Sequence, residues 1–142
     1  MIVDERDGNG RADQNNAKVK QLFKSDLDGA VDVSEMDRTT AATHAVNKTL
    51  FLDIVKVLTV NGIAAGDNPA KIEGVAFGPD VRQGETTLHT LWIANDNDFF
   101  QTTPDANGNL IPNDNQFFVF GFADADLGGS IFVPQEIREL RF

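Results

Sequence analysis

Cysteine is missing from the chain, so a disulfide framework, a thiolate zinc site and a thiol mechanism are all excluded, and redox chemistry says nothing of its compartment. Basic residues are scarce: 12 Lys and Arg stand against 22 Asp and Glu, a net charge of -10. A surface of that sign repels a nucleic-acid backbone or an anionic membrane, so neither is expected as a partner. Long apolar runs are missing too. No stretch approaches the roughly 18 apolar residues of a membrane helix, and the opening Met1-Ile2-Val3-Asp4-Glu5-Arg6 lacks the basic start and apolar run of a secretory signal. His44 and His89 are the only histidines, and Ser25, Ser34 and Ser130 all lie outside a G-x-S-x-G context, so a Ser-His-Asp hydrolase is poorly supported. No Walker or dinucleotide glycine loop occurs. For catalysis, carboxylates and a metal-activated water remain.

What is present is a chain of 142 residues, the size of one domain with a core of its own. Its acids are mostly Asp, and with Asn and 12 Gly they favour turns and oxygen ligation of hard cations. The composition predicts a loop-rich all-β protein. Met1 to Val3 reads as a chain that begins abruptly inside a strand, and Asp7 to Asn16 as a loop. Ala17 to Leu27 alternates and predicts a strand that pairs with the first run as a hairpin. Asp28-Gly29 marks a turn, and Val31 to Val46 reads as a polar loop with one helical turn. Lys48 to Val60 predicts a strand running into a short helix that stops at Asn61-Gly62. After a turn-rich link at Ala64 to Pro69, Lys71 to Phe77 and Thr86 to Ala94 read as strands, with Gly78 to Glu85 as turn punctuation between them. Thr102 to Asn115 reads as a long exposed loop. Phe117, Phe118, Phe120 and Phe122 make Gln116 to Ala123 a strand too apolar for a solvated edge, expected to be covered on both faces or paired outside the chain. Ser130 to Phe142 adds a short strand and a helical turn at Glu136 to Leu140. Four to six strands with long loops is spaced as in propeller blades.

Acids at the edges of these apolar strands are the candidates for chemistry. Glu73 stands between Ile72 and Gly74, where it is a metal ligand or a general base, or else a surface glutamate at a strand start. Asn95-Asp96-Asn97-Asp98 follows a strand directly; its oxygens suit calcium or magnesium better than zinc, or simply form an Asx turn. In Asp4-Glu5-Arg6-Asp7 the arginine can grip a carboxylate or phosphate while one acid stays available, or the group is a strand-end salt bridge. Asp7 to Asp13 and Asp105 to Leu110 carry alternating Asx oxygens but depart from the EF-hand pattern, which favours plain loops.

Taken together, the Asp4-Glu5-Arg6-Asp7-Gly8 opening, Ala17-Lys18-Val19-Lys20, Asp26-Leu27, Gly29-Ala30, Asp32-Val33-Ser34, Lys48 to Asp53, Lys71-Ile72-Glu73-Gly74-Val75-Ala76-Phe77-Gly78-Pro79-Asp80 and Asp96-Asn97-Asp98-Phe99 resemble the phytase-like family labelled "esterase-like activity of phytase". The resemblance implies a secreted or periplasmic β-propeller-like domain whose strand-end acids face a central channel, acting on a small-molecule phosphoester or ester. Glu5, Glu73, Asp96 and Asn97 match the family's recurrent polar positions. A metal-assisted hydrolase is the first expectation, with Glu5 and Glu73 as catalytic carboxylates, Arg6 and Asn97 as substrate contacts, and Glu73, Asp96 and Asp98 as ligands to a cation such as calcium. A non-catalytic, calcium-stabilised propeller module that binds a ligand or protein is the alternative. Family members are much longer, so residues 1–142 read as the C-terminal part of such a domain, an incomplete propeller of about two blades. Such a piece exposes a strand edge and an apolar blade face, a site of self-association.

Overall fold

The computed structural model describes residues 2–6 as backbone, and 10–15 and 17–134 with side chains. Along the chain run β1 (Ile2–Arg6), β2 (Val19–Ser25), α1 (Arg38–Ala42), β3 (Lys48–Asp53), α2 (Ile54–Val60), β4 (Ile72–Gln83), β5 (Thr86–Asn95), β6 (Thr102–Pro104), β7 (Leu110–Pro112) and β8 (Phe117–Phe122). Short 3-10 turns occupy Ala65–Asp67 and Asp124–Leu127. Strand exceeds helix by 38% to 15%, as the all-β reading expects. The sheets are small and open, and among the described residues no ring of blades closes. Nor is any described helix long and apolar enough to cross a membrane.

The first sheet is antiparallel in the order β1-β2-β3, so the expected hairpin of the first two runs is present. Its third strand turns into α2 without a linker because Asp53 is both the last strand residue and the helix N-cap. The carboxylate accepts from the Lys56 amide at 3.0 Å and from Gln21 Nε2 at 3.2 Å, tying the helix start to β2. Ile54 and Leu58, four residues apart, put one face of α2 into the core. The helix stops where Gly62 takes φ 87, the left-handed geometry that glycine adopts without a Cβ penalty. The single helical turn expected in 31–46 is α1, capped by Asp37, which accepts from the Thr39 and Thr40 amides.

The second sheet has the order β4-β5-β8, all antiparallel. One face of it, with Leu91, Ile93 and Phe122, joins Leu22 of β2, Ile54 and Leu58 of α2, Ile72 and Leu127 in a single hydrophobic cluster. Each such fully buried side chain stabilises the fold by about 1.5–3 kcal/mol. Aromatic edges close the cluster: Phe51 meets Phe122 with ring centroids at 5.5 Å, and Phe77 meets Phe132 at 5.0 Å.

Two sequence expectations need correction, and two others are answered only in part by the described residues. Gly78 to Glu85 is not a turn region: β4 runs on to Gln83, and only residues 84–85 turn. Pro79 is tolerated because the register shifts between Gly78 and Val81, a bulge where no ladder N–H is needed. The Thr90 hydroxyl holds the bulge by donating to the Pro79 carbonyl at 2.9 Å. Thr102 to Asn115 is not a structureless loop, since β6 and β7 pair as a small hairpin. Asp105 closes it, accepting from the Asn107 and Asn109 amides at 2.8 Å each. The strand β8 is not covered on both faces: Phe118, Phe120 and Phe122 turn inward, while Phe117 is 69% exposed and Val119 is also on the surface. Residues 130–134 form no strand, and the helical turn expected at Glu136 to Leu140 lies outside the described residues.

Candidate functional site

The hairpin of β4 and β5 opens at the pair Ile72 and Asn95, which sends Lys71 and Asp96 out side by side. The Asp96 amide donates to the Lys71 carbonyl at 2.9 Å, and Lys71 itself sits at φ 54. Beyond it, residues 96–100 fold on their own side chains. Asp96 Oδ1 accepts from the Asp98 amide at 2.8 Å, and Asn97 Oδ1 accepts from the Phe99 amide at 3.0 Å. Both are the Asx turns that this composition allows. Asp98 and Phe99 take φ 51 and 63, left-handed values that Asp tolerates and a bulky Phe does not adopt without strain. Phe99 is also 99% exposed.

Asparagines from the far side of the β6–β7 hairpin hold this loop. Asn97 Nδ2 donates to the Asn113 carbonyl at 3.0 Å, Asn113 Nδ2 donates to the Asn97 and Phe100 carbonyls at 3.2 Å, and the Asn97 amide donates to Asn115 Oδ1 at 3.0 Å. The result is a cleft of about 280 Å³ lined by Lys71, Asp96, Asn97, Asp98 and Phe100 together with the start of the β6 hairpin.

The cleft's cation is Lys71. Its ammonium donates to both oxygens of Asp98 at 2.8 Å and stands 3.3 Å from Glu73 Oε1. The hydrogen bond to Asp98 first, and that to Glu73 after it, hold the lysine above its ordinary pKa, against partial desolvation. Glu73 stays 53% exposed on β4.

Of the six residues singled out in the sequence, four are therefore neighbours in space: Glu73 and Asp98 meet through Lys71, while Asp96 and Asn97 line the same cleft. Glu5 and Arg6 lie in β1, opposite Lys20 and Val19 of β2, and β1 touches β4; their side chains lie outside the described residues. As ligands for calcium the three acids do not fit in this arrangement. Glu73 and Asp98 converge on an ammonium, one Asp96 oxygen is turned to a backbone amide, and no group of three His, Asp or Glu among the described residues is placed to hold a metal. The Asp105 loop likewise spends its carboxylate on its own turn, and a hydrogen bond from the Asn109 side chain is the first cause holding that acid below the usual carboxylate range. Of the other calcium-like loop, residues 7–9 lie outside the described residues.

Lys71 carried no role in the sequence reading; its place two residues before Glu73 was the available signal. Asn113 and Asn115 read as turn formers and act instead as clamps. A second cluster had no local signal at all: His89 lies between Asp80 and Asp124, nine and 35 residues away.

No curated protein and no solved structure matches the chain. A family does: the phytase-like family, described as esterase-like activity of phytase, matches residues 1–99, a span that includes Glu5, Arg6, Glu73 and the whole Asp96-Asn97-Asp98 cluster. With most of its length matched, the chain belongs to the phytase-like family.

Proposed function

We propose that the cleft beside Lys71 is the substrate site of a phytase-like hydrolase domain that acts on a small-molecule ester or phosphoester. The observation that carries this is the meeting of Lys71 with Asp96, Asn97 and Asp98 at one cleft, all within the residues that the family matches. In this reading Glu73, exposed and one ammonium away from the cleft, is the general base for water, and Glu5 on the neighbouring β1 is a second. Lys71, with Arg6 from β1, steers the polar end of the substrate. Asn97 acts through the loop that its two hydrogen-bonded ends keep in shape.

Charge discriminates between the two substrate classes. Two carboxylates bracket one ammonium and Asp96 lines the same cleft, on a chain of net charge -10, so a phosphoester would need a bridging cation. Calcium on Glu73, Asp96 and Asp98 would be that cation, and it requires the Lys71 ammonium to leave Glu73 and Asp98. A neutral ester requires no such exchange and suits the cleft better. The same reading makes the two sheets blade-like units of a propeller in a secreted or periplasmic protein, with the open edge of β8 as the place where copies associate.

The test compares an aryl acetate with an aryl phosphate, each with and without calcium. Ester turnover is expected without calcium, and Glu73→Gln should lower kcat/KM by about 100-fold or more. Absence of turnover of either substrate, or equal rates for Glu73→Gln and the unchanged chain, overturns the reading. A calcium-dependent rise in melting temperature without turnover would favour the non-catalytic binding module instead.

A further inference from the structure

At the other end of the β4–β5 hairpin the bulge in β4 aims Asp80 at His89 of β5. His89 Nδ1 lies 2.9 Å from Asp80 Oδ1, and Nε2 lies 3.2 Å from Asp124 Oδ1. Asp124 opens the segment 123–134, which follows β8 and lies back across the core like a strap. Leu127 is buried, Phe132 stacks on the imidazole with centroids at 4.1 Å and against Phe77 and Phe122, and Lys24 of β2 donates to the Leu127 carbonyl. The imidazole is a second polar fastening of the strap beside Lys24, and its side chain is only 17% exposed.

The proton count decides what this fastening does. An imidazolium donates from both nitrogens and satisfies both carboxylates. A neutral ring donates from one nitrogen and turns a lone pair toward the other carboxylate, so acceptor faces acceptor. Of the two partners Asp124 is the one free to move: its side chain is 83% exposed, against 45% for Asp80, and it makes the longer contact. We propose that Asp80, His89 and Asp124 form a pH-operated latch, which holds the 123–134 strap closed while His89 is protonated and releases it as the ring loses its proton.

Among the described residues, the groups facing His89 are Asp80 from β4, Asp124 from the strap and the uncharged rings of Phe122 and Phe132. The Asp80 hydrogen bond first, opposed by partial desolvation and helped by Asp124, holds the imidazole above its ordinary pKa. A raised value fixes the sign. The stabilisation is complete below the ordinary histidine value of about 6.5, and it is lost as pH rises through the raised one. Release lifts Phe132 from Phe77 and Phe122 and widens the cleft of about 420 Å³ that Phe77, Asp80 and Phe132 now line.

The test follows the His89 ring resonance by NMR from pH 5 to 8.5, together with amide exchange, corrected for its intrinsic pH dependence, in residues 124–132 and at Leu91 and Ile93. Expected are a His89 titration above the ordinary value and a loss of protection in the strap of tenfold or more across it, with the β5 amides unchanged. His89→Gln should leave the strap poorly protected at every pH. Asp124→Asn, whose amide can donate to a neutral ring, should keep it closed at high pH. A His89 titration at or below the ordinary value, strap protection that does not vary with pH, or the unchanged chain's pH dependence persisting in His89→Gln overturns the proposal.

Discussion

The two ends of the β4–β5 hairpin carry the same device with different central groups. At the open end Lys71 stands between Asp98 and Glu73, and toward the turn His89 stands between Asp80 and Asp124. Each bracket fastens a following loop to the sheet, 96–100 in one case and 123–134 in the other. A lysine ordinarily titrates at about 10.4, and its carboxylates raise the pKa further, so the first fastening stays charged through the neutral range in which the second changes. Histidine titrates near neutrality, so the second is conditional. The arrangement of charges is shared, and the central pKa separates a fixed binding cleft from a movable strap.

The largest effect comes from disturbing the scaffold under one bracket and not the other. A Cβ at Gly78 would lie 2.2 Å from Trp92 Nε1 and 2.8 Å from Thr90 Oγ1, the hydroxyl that fixes the bulge. At Gly74, near the lysine end, the nearest atom would be the Ala94 Cβ at 3.2 Å, a contact relieved by a few tenths of an ångström. Gly78→Ala should therefore cost about 1–3 kcal/mol, the usual range for overpacking, and Gly74→Ala clearly less. Urea midpoints measure both, and equal costs would mean that the bulge does not depend on this close approach. The His89 titration follows in size, since Gly78→Ala displaces Asp80 and should bring the imidazole pKa back toward its ordinary value.

The legibility of the two brackets differs for a physical reason. Strands and the short helix were readable because alternation at Val19 to Ser25 and the Asn61-Gly62 stop are local signals, and Lys71, Glu73 and Asp96 to Asp98 fall within two short motifs. The β4 bulge was not readable, because Gly-Pro-Asp ordinarily ends a strand, and what keeps it in the sheet is the Thr90 hydroxyl from the neighbouring strand. The β6–β7 hairpin was hidden by the same Asx residues that close it. His89 offered nothing, since Asp80 and Asp124 reach it only through the pairing of β4, β5 and β8 and the turn after it.

The smallest effect should come from Lys71→Met, and its dependence on salt is what makes it informative. Removing the ammonium leaves Glu73 and Asp98 facing each other without a counter-ion, both largely solvated. Water screens such pairs well, and exposed ion pairs contribute little to stability. The melting temperature should fall by less than in Gly78→Ala, and the difference from the unchanged chain should shrink as salt shortens the Debye length from ~10 Å at 0.1 M to ~3 Å at 1 M. Calcium then tests the cleft in the same variant. With the ammonium gone, two carboxylates are open to a cation, so calcium should stabilise Lys71→Met more than the unchanged chain. Equal calcium responses in the two proteins would show that Lys71 does not compete for this position, and the contrast between a permanent and a conditional bracket would then rest on the histidine end alone.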